Sequence, residues 1–152
     1  MRRIGRIAHV VCGVLMAVSV QLAAAEELWF ISPDEAAFAP APEASLIRSR
    51  GLNTKGPRID VLKPPADVPQ QSPLEIVIRF HQNSAAVNPD SVKVQLVKFI
   101  SIDITDRVKP YLSANGIEVK EAKISPGSHL VQVSVSDGEG ETSFRDIELQ
   151  VR

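Results

Sequence analysis

Residues 57–152 predict an all-β fold, an antiparallel Greek-key β-sandwich of about seven strands. Three observations carry this. Apolar and polar residues alternate at a period of two in run after run. Turn signals rich in proline, glycine and asparagine separate the runs. No stretch between them has the length and periodicity of the helical crossover that an α/β layout needs.

The chain before this domain divides in two. Arg2, Arg3 and Arg6 form a positive start, residues 7–22 are mostly apolar, and Ala23, Ala24 and Ala25 supply small residues before Glu26. That order of features is an export signal, so residues 1–25 are expected to be cleaved rather than folded. As an uncleaved anchor, residues 7–25 would reach only about the minimum spanning length and would carry His9 and Gln21. A lipoprotein signal needs a small residue before the acylated cysteine, whereas Val11 precedes Cys12 and most of the apolar run follows it. Cleavage would remove this single cysteine, leaving the core to hold the domain without a disulfide.

Residues 26–56 read as a tail or linker rich in proline and alanine. The stretch Phe38-Ala39-Pro40-Ala41-Pro42 favours extended backbone and withholds the donors a helix requires. Residues 43–50 could form a short helical turn before Gly51.

The strands follow in order. Residues 58–63 make a first short strand, closed by Pro64-Pro65. Leu74, Ile76, Ile78 and Phe80 alternate with Glu75, Val77, Arg79 and His81, giving a strand with one apolar face. Asn88-Pro89-Asp90 has the composition of a turn. Val92, Val94 and Leu96 then alternate with Lys93, Gln95 and Val97. Ile100, Ile102 and Ile104 predict a further short strand. Asn115-Gly116 is a turn signal, and Ile117 and Val119 begin the next strand. Ser125-Pro126-Gly127 turns the chain into a strand with Val131, Val133 and Val135 inward. Asp137-Gly138-Glu139-Gly140 is a hairpin loop, after which Ile147, Leu149 and Val151 share one face.

Several of these segments resemble a known pattern. Val87-Asn88-Pro89-Asp90-Ser91-Val92-Lys93-Val94, Ile102-Asp103-Ile104-Thr105, Ser125-Pro126-Gly127-Ser128-His129-Leu130-Val131-Gln132-Val133 and Ser136-Asp137-Gly138-Glu139-Gly140 are similar to strand and turn motifs of bacterial immunoglobulin-like (Ig-like) domains. The resemblance covers residues 57–152 and implies an Ig-like sandwich with an adhesive, spacer or accessory role on an exported protein. The paired cysteines and core tryptophan of immunoglobulins are missing, and one copy of the module is present.

Composition narrows the chemistry. Net charge is −1, and loss of the three signal arginines leaves 14 of the 17 basic residues against 18 acidic ones, or −4. A mildly acidic chain has no field that draws it to nucleic acid or anionic lipid. After cleavage only His81 and His129 remain of the histidines, and no cysteine, so no nucleophile–base–acid triad and no transition-metal site is readable. No catalytic residue, cofactor or small-molecule substrate is therefore expected. Asp137, Glu139, Glu141 and Asp146 cluster near the last hairpin, and Asp90, Asp103 and Asp106 lie around the middle strands. None has the loop spacing of a known calcium motif, so these acids are expected to be solvated and no metal is assigned.

The remaining feature is Leu28, Trp29, Phe30 and Ile31, which hold the chain's one tryptophan. Four adjacent large apolar side chains need cover. Either they lie on their own sandwich as an edge strand or plug, or they dock to a partner by strand addition. The expected function is a non-enzymatic module, periplasmic or secreted, that contacts another envelope or extracellular protein, with no membrane span after cleavage. The alternative is a carbohydrate- or surface-binding accessory domain. It would need exposed rings across one sheet, for which Phe38, Phe99, Tyr111 and Phe144 are the candidates.

Overall fold

Alternation becomes ladder wherever a strand offers one apolar face and a partner of matching period. The computed structural model describes residues 29–42, 55–65 and 68–152. The proposed signal, Leu28 and residues 43–54 lie outside the described residues. Strand β1 (Arg58–Lys63) pairs antiparallel with β2 (Leu74–His81), and β2 pairs with β6 (Gly116–Ala122). The short β5 (Leu112–Ser113) completes a four-stranded sheet of order β1-β2-β6-β5. The second sheet has the order β4-β3-β7-β8, from β3 (Val87–Val97), β4 (Ile102–Asp103), β7 (Gly127–Asp137) and β8 (Thr142–Val151). All pairings between these strands are antiparallel.

The two sheets share one apolar core. Ile59, Leu74, Ile78, Phe80, Ile117 and Val119 enter it from the first sheet. Val92, Val94, Leu96, Val131, Val133, Val135, Ile147, Leu149 and Val151 enter it from the second. Burial alternates along β7 and β8 as the period-two pattern predicts. On β2 it does not alternate cleanly. Val77 is buried but outside the central cluster, while Ile76 is only half-buried. Both ladders of β2 shift register beside these residues, between Val61 and Lys63 on one side and between Leu74 and Ile76 on the other.

Two expectations change in the structure. Asn88-Pro89-Asp90 does not end a strand but forms an irregularity inside β3. The Asn88 side chain accepts the Asp90 N–H (3.1 Å), and the Ser91 hydroxyl accepts the N–H of Ser136 (2.8 Å). The pairing with β7 consequently steps from Asn88↔Ser136 to Lys93↔Ser134. The strand expected from Ile100, Ile102 and Ile104 shrinks to the two residues of β4. Asp103 accepts the Thr105 N–H (2.8 Å), which turns the chain into helix α2 (Thr105–Val108) and a 3₁₀ turn (Lys109–Tyr111). Ile104 is buried, whereas Ile100 is exposed.

Gly116 shows how closely the first sheet is packed. Its φ is +140°, and a Cβ there would lie 1.9 Å from the Ile78 carbonyl oxygen, so only glycine fits at the start of β6.

Ile78 is 3% exposed at the centre of β2, and Arg79 points outward to Glu118 (3.1 Å). Ile78→Asp buries a carboxylate among aliphatic side chains and should unfold the domain, since even an uncharged polar group buried unpaired costs on the order of 2–7 kcal/mol. Arg79→Ala loses a surface ion pair worth at most about 1 kcal/mol. Urea unfolding of both variants checks this, and equal losses would contradict the assignment of faces on β2.

Candidate functional site

Residues 29–42 form a strap across the sandwich. Their backbone is fastened to the turn between β6 and β7. Phe30 N–H donates to the Lys123 carbonyl (2.8 Å), Ser125 N–H donates to the Ile31 carbonyl (3.1 Å), and Ile31 pairs with Ile124 in a parallel bridge. This contact sends the side chains of Phe30 and Ile31 into the core, where they are 5% and 0% exposed. Phe30 also lies against Tyr111, with ring centroids 5.7 Å apart. Trp29 is half-buried, with the Lys123 ammonium 4.7 Å from the centre of its ring. In this arrangement Phe30 and Ile31 are not accessible to a partner.

Past Ile31 the strap makes helix α1 (Pro33–Ala36). Ser32 caps it, accepting the Glu35 N–H (3.3 Å), and the Glu35 carboxylate accepts the Ser32 N–H in return (2.9 Å). Glu35 also receives both arms of the Arg107 guanidinium, at 2.8 and 2.6 Å, and Arg107 donates to the Phe30 carbonyl (2.8 Å). One side chain of α2 thus holds both ends of the strap's first turn. The hydrogen bonds from Arg107 hold the Glu35 carboxyl down at about 2, against the opposing effect of its partial burial. Further on, Lys98 is buried and its ammonium donates to the Ala36 carbonyl (3.2 Å). Pro40 bridges Lys98, and Phe99 N–H donates to the Ala39 carbonyl (2.9 Å).

The ladder from the strap to the β3–β4 turn builds an exposed apolar tip. Phe38, Phe99 and Ile100 are 53%, 70% and 68% exposed, and the Ala39–Phe99 backbone hydrogen bond joins the two segments that carry them. Tyr111 stands with Phe30, and Phe144 is exposed on β8. The four rings considered for a carbohydrate platform therefore occupy three places rather than one sheet. Beside the strap, Pro40, Ala41, Val97, Lys98, Leu130 and Glu148 line a groove of about 250 Å³.

The titratable groups read from sequence lie apart. His81 meets Asp60 at 3.2 Å on the exposed side of the first sheet. His129 is 1% exposed, and its Nε2–H donates to the Ser125 carbonyl (2.8 Å). Burial pushes its imidazole below the usual value, and the charge of Lys98 acts in the same direction. Asp137 turns inward, accepting the N–H groups of Glu139 (3.0 Å) and Glu141 (2.9 Å), so it closes its own hairpin. Asp103 accepts the Thr105 N–H in the turn before α2, and Asp106 pairs with Lys109 (2.6 Å). Asp146 accepts from Gln132 (3.0 Å). Among the described residues, no group of three or more His, Cys, Asp or Glu comes together to hold a metal ion. A cavity of about 40 Å³ between the sheets is lined by apolar side chains, Phe30, Ile31, Ile78 and Val133 among them. Its lining offers a water molecule no polar partner.

Sequence reasoning missed Arg107 and Lys98 as parts of this site and named Phe99 only as a candidate ring of a carbohydrate platform. Ser32-Pro33-Asp34-Glu35 did carry a local signal, the capping-box pattern, within a stretch read as a tail or linker. Arg107 carried none, because it lies 77 residues from the carbonyl it holds. Comparison of the chain with protein-family models, with curated proteins and with solved structures finds no match. Among the described residues, no helix is long and apolar enough to cross a membrane.

Glu35→Gln should loosen the strap. Charge-assisted hydrogen bonds are worth about 1.5–3 kcal/mol. The lower part of that range applies here, because Arg107 is 32% exposed and screened. A depressed carboxyl contributes stability that is fully present above its usual value of 4.5 and is lost as pH falls toward about 2. Wild type and variant should therefore differ in urea midpoint at pH 6 and converge below pH 4.5 as the carboxyl protonates. A gap that is constant across this window would contradict the assigned role of the Glu35 charge.

Proposed function

We propose that this chain is an exported, non-enzymatic Ig-like module that acts by contact with another envelope or extracellular protein. The export reading rests on residues 1–25, whose charge and apolar pattern are those of a secretory signal. Strand order supports the Ig-like reading. The orders β1-β2-β6-β5 and β4-β3-β7-β8 correspond to the A-B-E-D sheet of an immunoglobulin domain and its C-F-G sheet with one added edge strand.

The observation that carries the functional reading is the tip. Phe38 of the strap and Phe99 and Ile100 of the β3–β4 turn stand in water, and the backbone hydrogen bond from Phe99 to Ala39 joins the two segments. Leaving such groups solvated gives the isolated domain nothing, whereas exposed apolar patches mark contact surfaces on soluble proteins. The tip is made jointly by the strap and the β3–β4 turn, so the N-terminal segment shapes the contact surface without being the docking peptide itself.

Site-specific photocrosslinking in the cells that export the protein tests this. A photoreactive residue at Phe99 should give a discrete protein adduct, and the same residue at Lys120, exposed on β6, should not. Phe99→Ser should keep stability within about 0.5 kcal/mol, as surface changes do, while removing a contact that aromatic side chains typically anchor. Identical adduct patterns from positions 99 and 120, or none from either, would contradict the reading.

A further inference from the structure

Strand β8 ends the second sheet, with β7 on one side only. Its ladder with β7 runs from Thr142↔Ser136 to Val151↔Gly127 without a register shift. The direction of its backbone groups follows from its two ends. At the hairpin, the Asp137 N–H donates to the Glu141 carbonyl (3.1 Å), so odd-numbered residues face β7. At the far end, the Gln70 N–H donates to the Gln150 carbonyl (2.7 Å) and the Arg152 N–H donates to the Gln70 carbonyl (2.9 Å), so even-numbered residues face away. The N–H and C=O of Phe144, Asp146 and Glu148 therefore point outward, and among the described residues they meet no partner.

The other edges are poorer templates. Strands β4 and β5 have two residues each, and β1 shifts register after Val61 and ends on Lys63 before Pro64. Such features blunt an edge, and β8 has none of them from Phe144 to Glu148.

Charge selects the occupant. Asp146 and Glu148 put two carboxylates on the outer face of this edge, beside the uncharged Gln132 and Leu130 of β7. Arg145 lies on the opposite face with Ile147, and the nearby Lys98 is buried and donates to the Ala36 carbonyl. A second copy of β8 fits badly. Paired antiparallel over all three free positions, Asp146 would face Asp146. Sliding the copy by two residues sets Asp146 against Glu148 in one direction and Arg145 against Arg145 in the other. Like charges directly opposite each other destabilise a strand pair.

We propose that the β8 edge is a second docking surface, which takes an extended segment of a partner protein by antiparallel strand addition. The segment carries lysine or arginine at alternate positions, opposite Asp146 and Glu148, and apolar residues between them. Residues directly opposite share a face and turn their N–H and C=O to β8, so the basic residues also supply the backbone hydrogen bonds.

The probe is the peptide acetyl-Lys-Val-Lys-Val-Lys-Val-amide, added to the full chain with backbone amides followed by NMR. In the free protein, the amides of Phe144, Asp146 and Glu148 should exchange faster than those of Arg145 and Ile147. The peptide should protect these three amides. The same peptide N-methylated at its lysines keeps the charges but cannot donate, and it should bind at least about tenfold more weakly. A glutamate–valine counterpart should also bind more weakly, and Glu148→Lys, at an exposed position, should remove that preference. Phe99→Ser should leave peptide binding unchanged, which separates this surface from the tip. The proposal is overturned if the three amides stay unprotected, if the N-methylated or glutamate peptide binds equally well, or if the peptide perturbs Phe99 instead of β8. Protection of the three amides without peptide would also overturn it, because a second copy would then occupy the edge.

Discussion

Ile31 has no exposed surface, yet the helix that follows it in the strap buries no residue of its own. The sandwich must therefore supply all of the cover, and its core in turn includes Phe30 and Ile31 as members. This mutual burial is the constraint on which the other features depend. Burying a large aliphatic or aromatic side chain is worth about 1.5–3 kcal/mol, but ordering a strap costs conformational entropy along its length. Directed contacts offset that cost at both ends. Arg107 holds the Phe30 carbonyl and Glu35, and Lys98 holds the Ala36 carbonyl.

The same contacts explain where the polar chemistry of the domain has gone. Asp137, Asp103, Ser91 and His129 each spend their side chains on backbone groups of turns or irregular segments. A domain without disulfides fixes its loops this way, because a buried backbone donor or acceptor left unpaired is costly. Among the described residues, Phe99 and Ile100 are the most exposed of the large apolar side chains, ahead of Leu62, Phe38, Val68, Phe144 and Tyr111. Since Phe38 belongs to the strap, the proposed contact surface depends on that segment being held in place.

Much of the sandwich was legible in the sequence because strand burial is local and periodic. The spans expected for β1 and β2 coincide with Arg58–Lys63 and Leu74–His81, and Val131, Val133 and Val135 alternate inward along β7. Period two failed where side chains compete with the ladder. Asn88 and Ser91 bend β3 without ending it, and Asp103 diverts the chain into α2 after two strand residues. The site was less legible. Four adjacent apolar residues announced that the segment needed cover, but not which surface would provide it. Arg107, Ser125 and Lys98 reach the strap across separations of 77, 93 and 62 residues, and no local pattern encodes such contacts.

Native-state hydrogen exchange tests the integration of the strap most directly. Phe30 N–H donates to the Lys123 carbonyl and Ser125 N–H donates to the Ile31 carbonyl, so both amides report the strap bond by bond. If the strap is part of the cooperative fold, both should exchange nearly as slowly as amides at the centre of β7. Exchange of both at the rate of an unstructured peptide, with β7 still protected, would contradict the account.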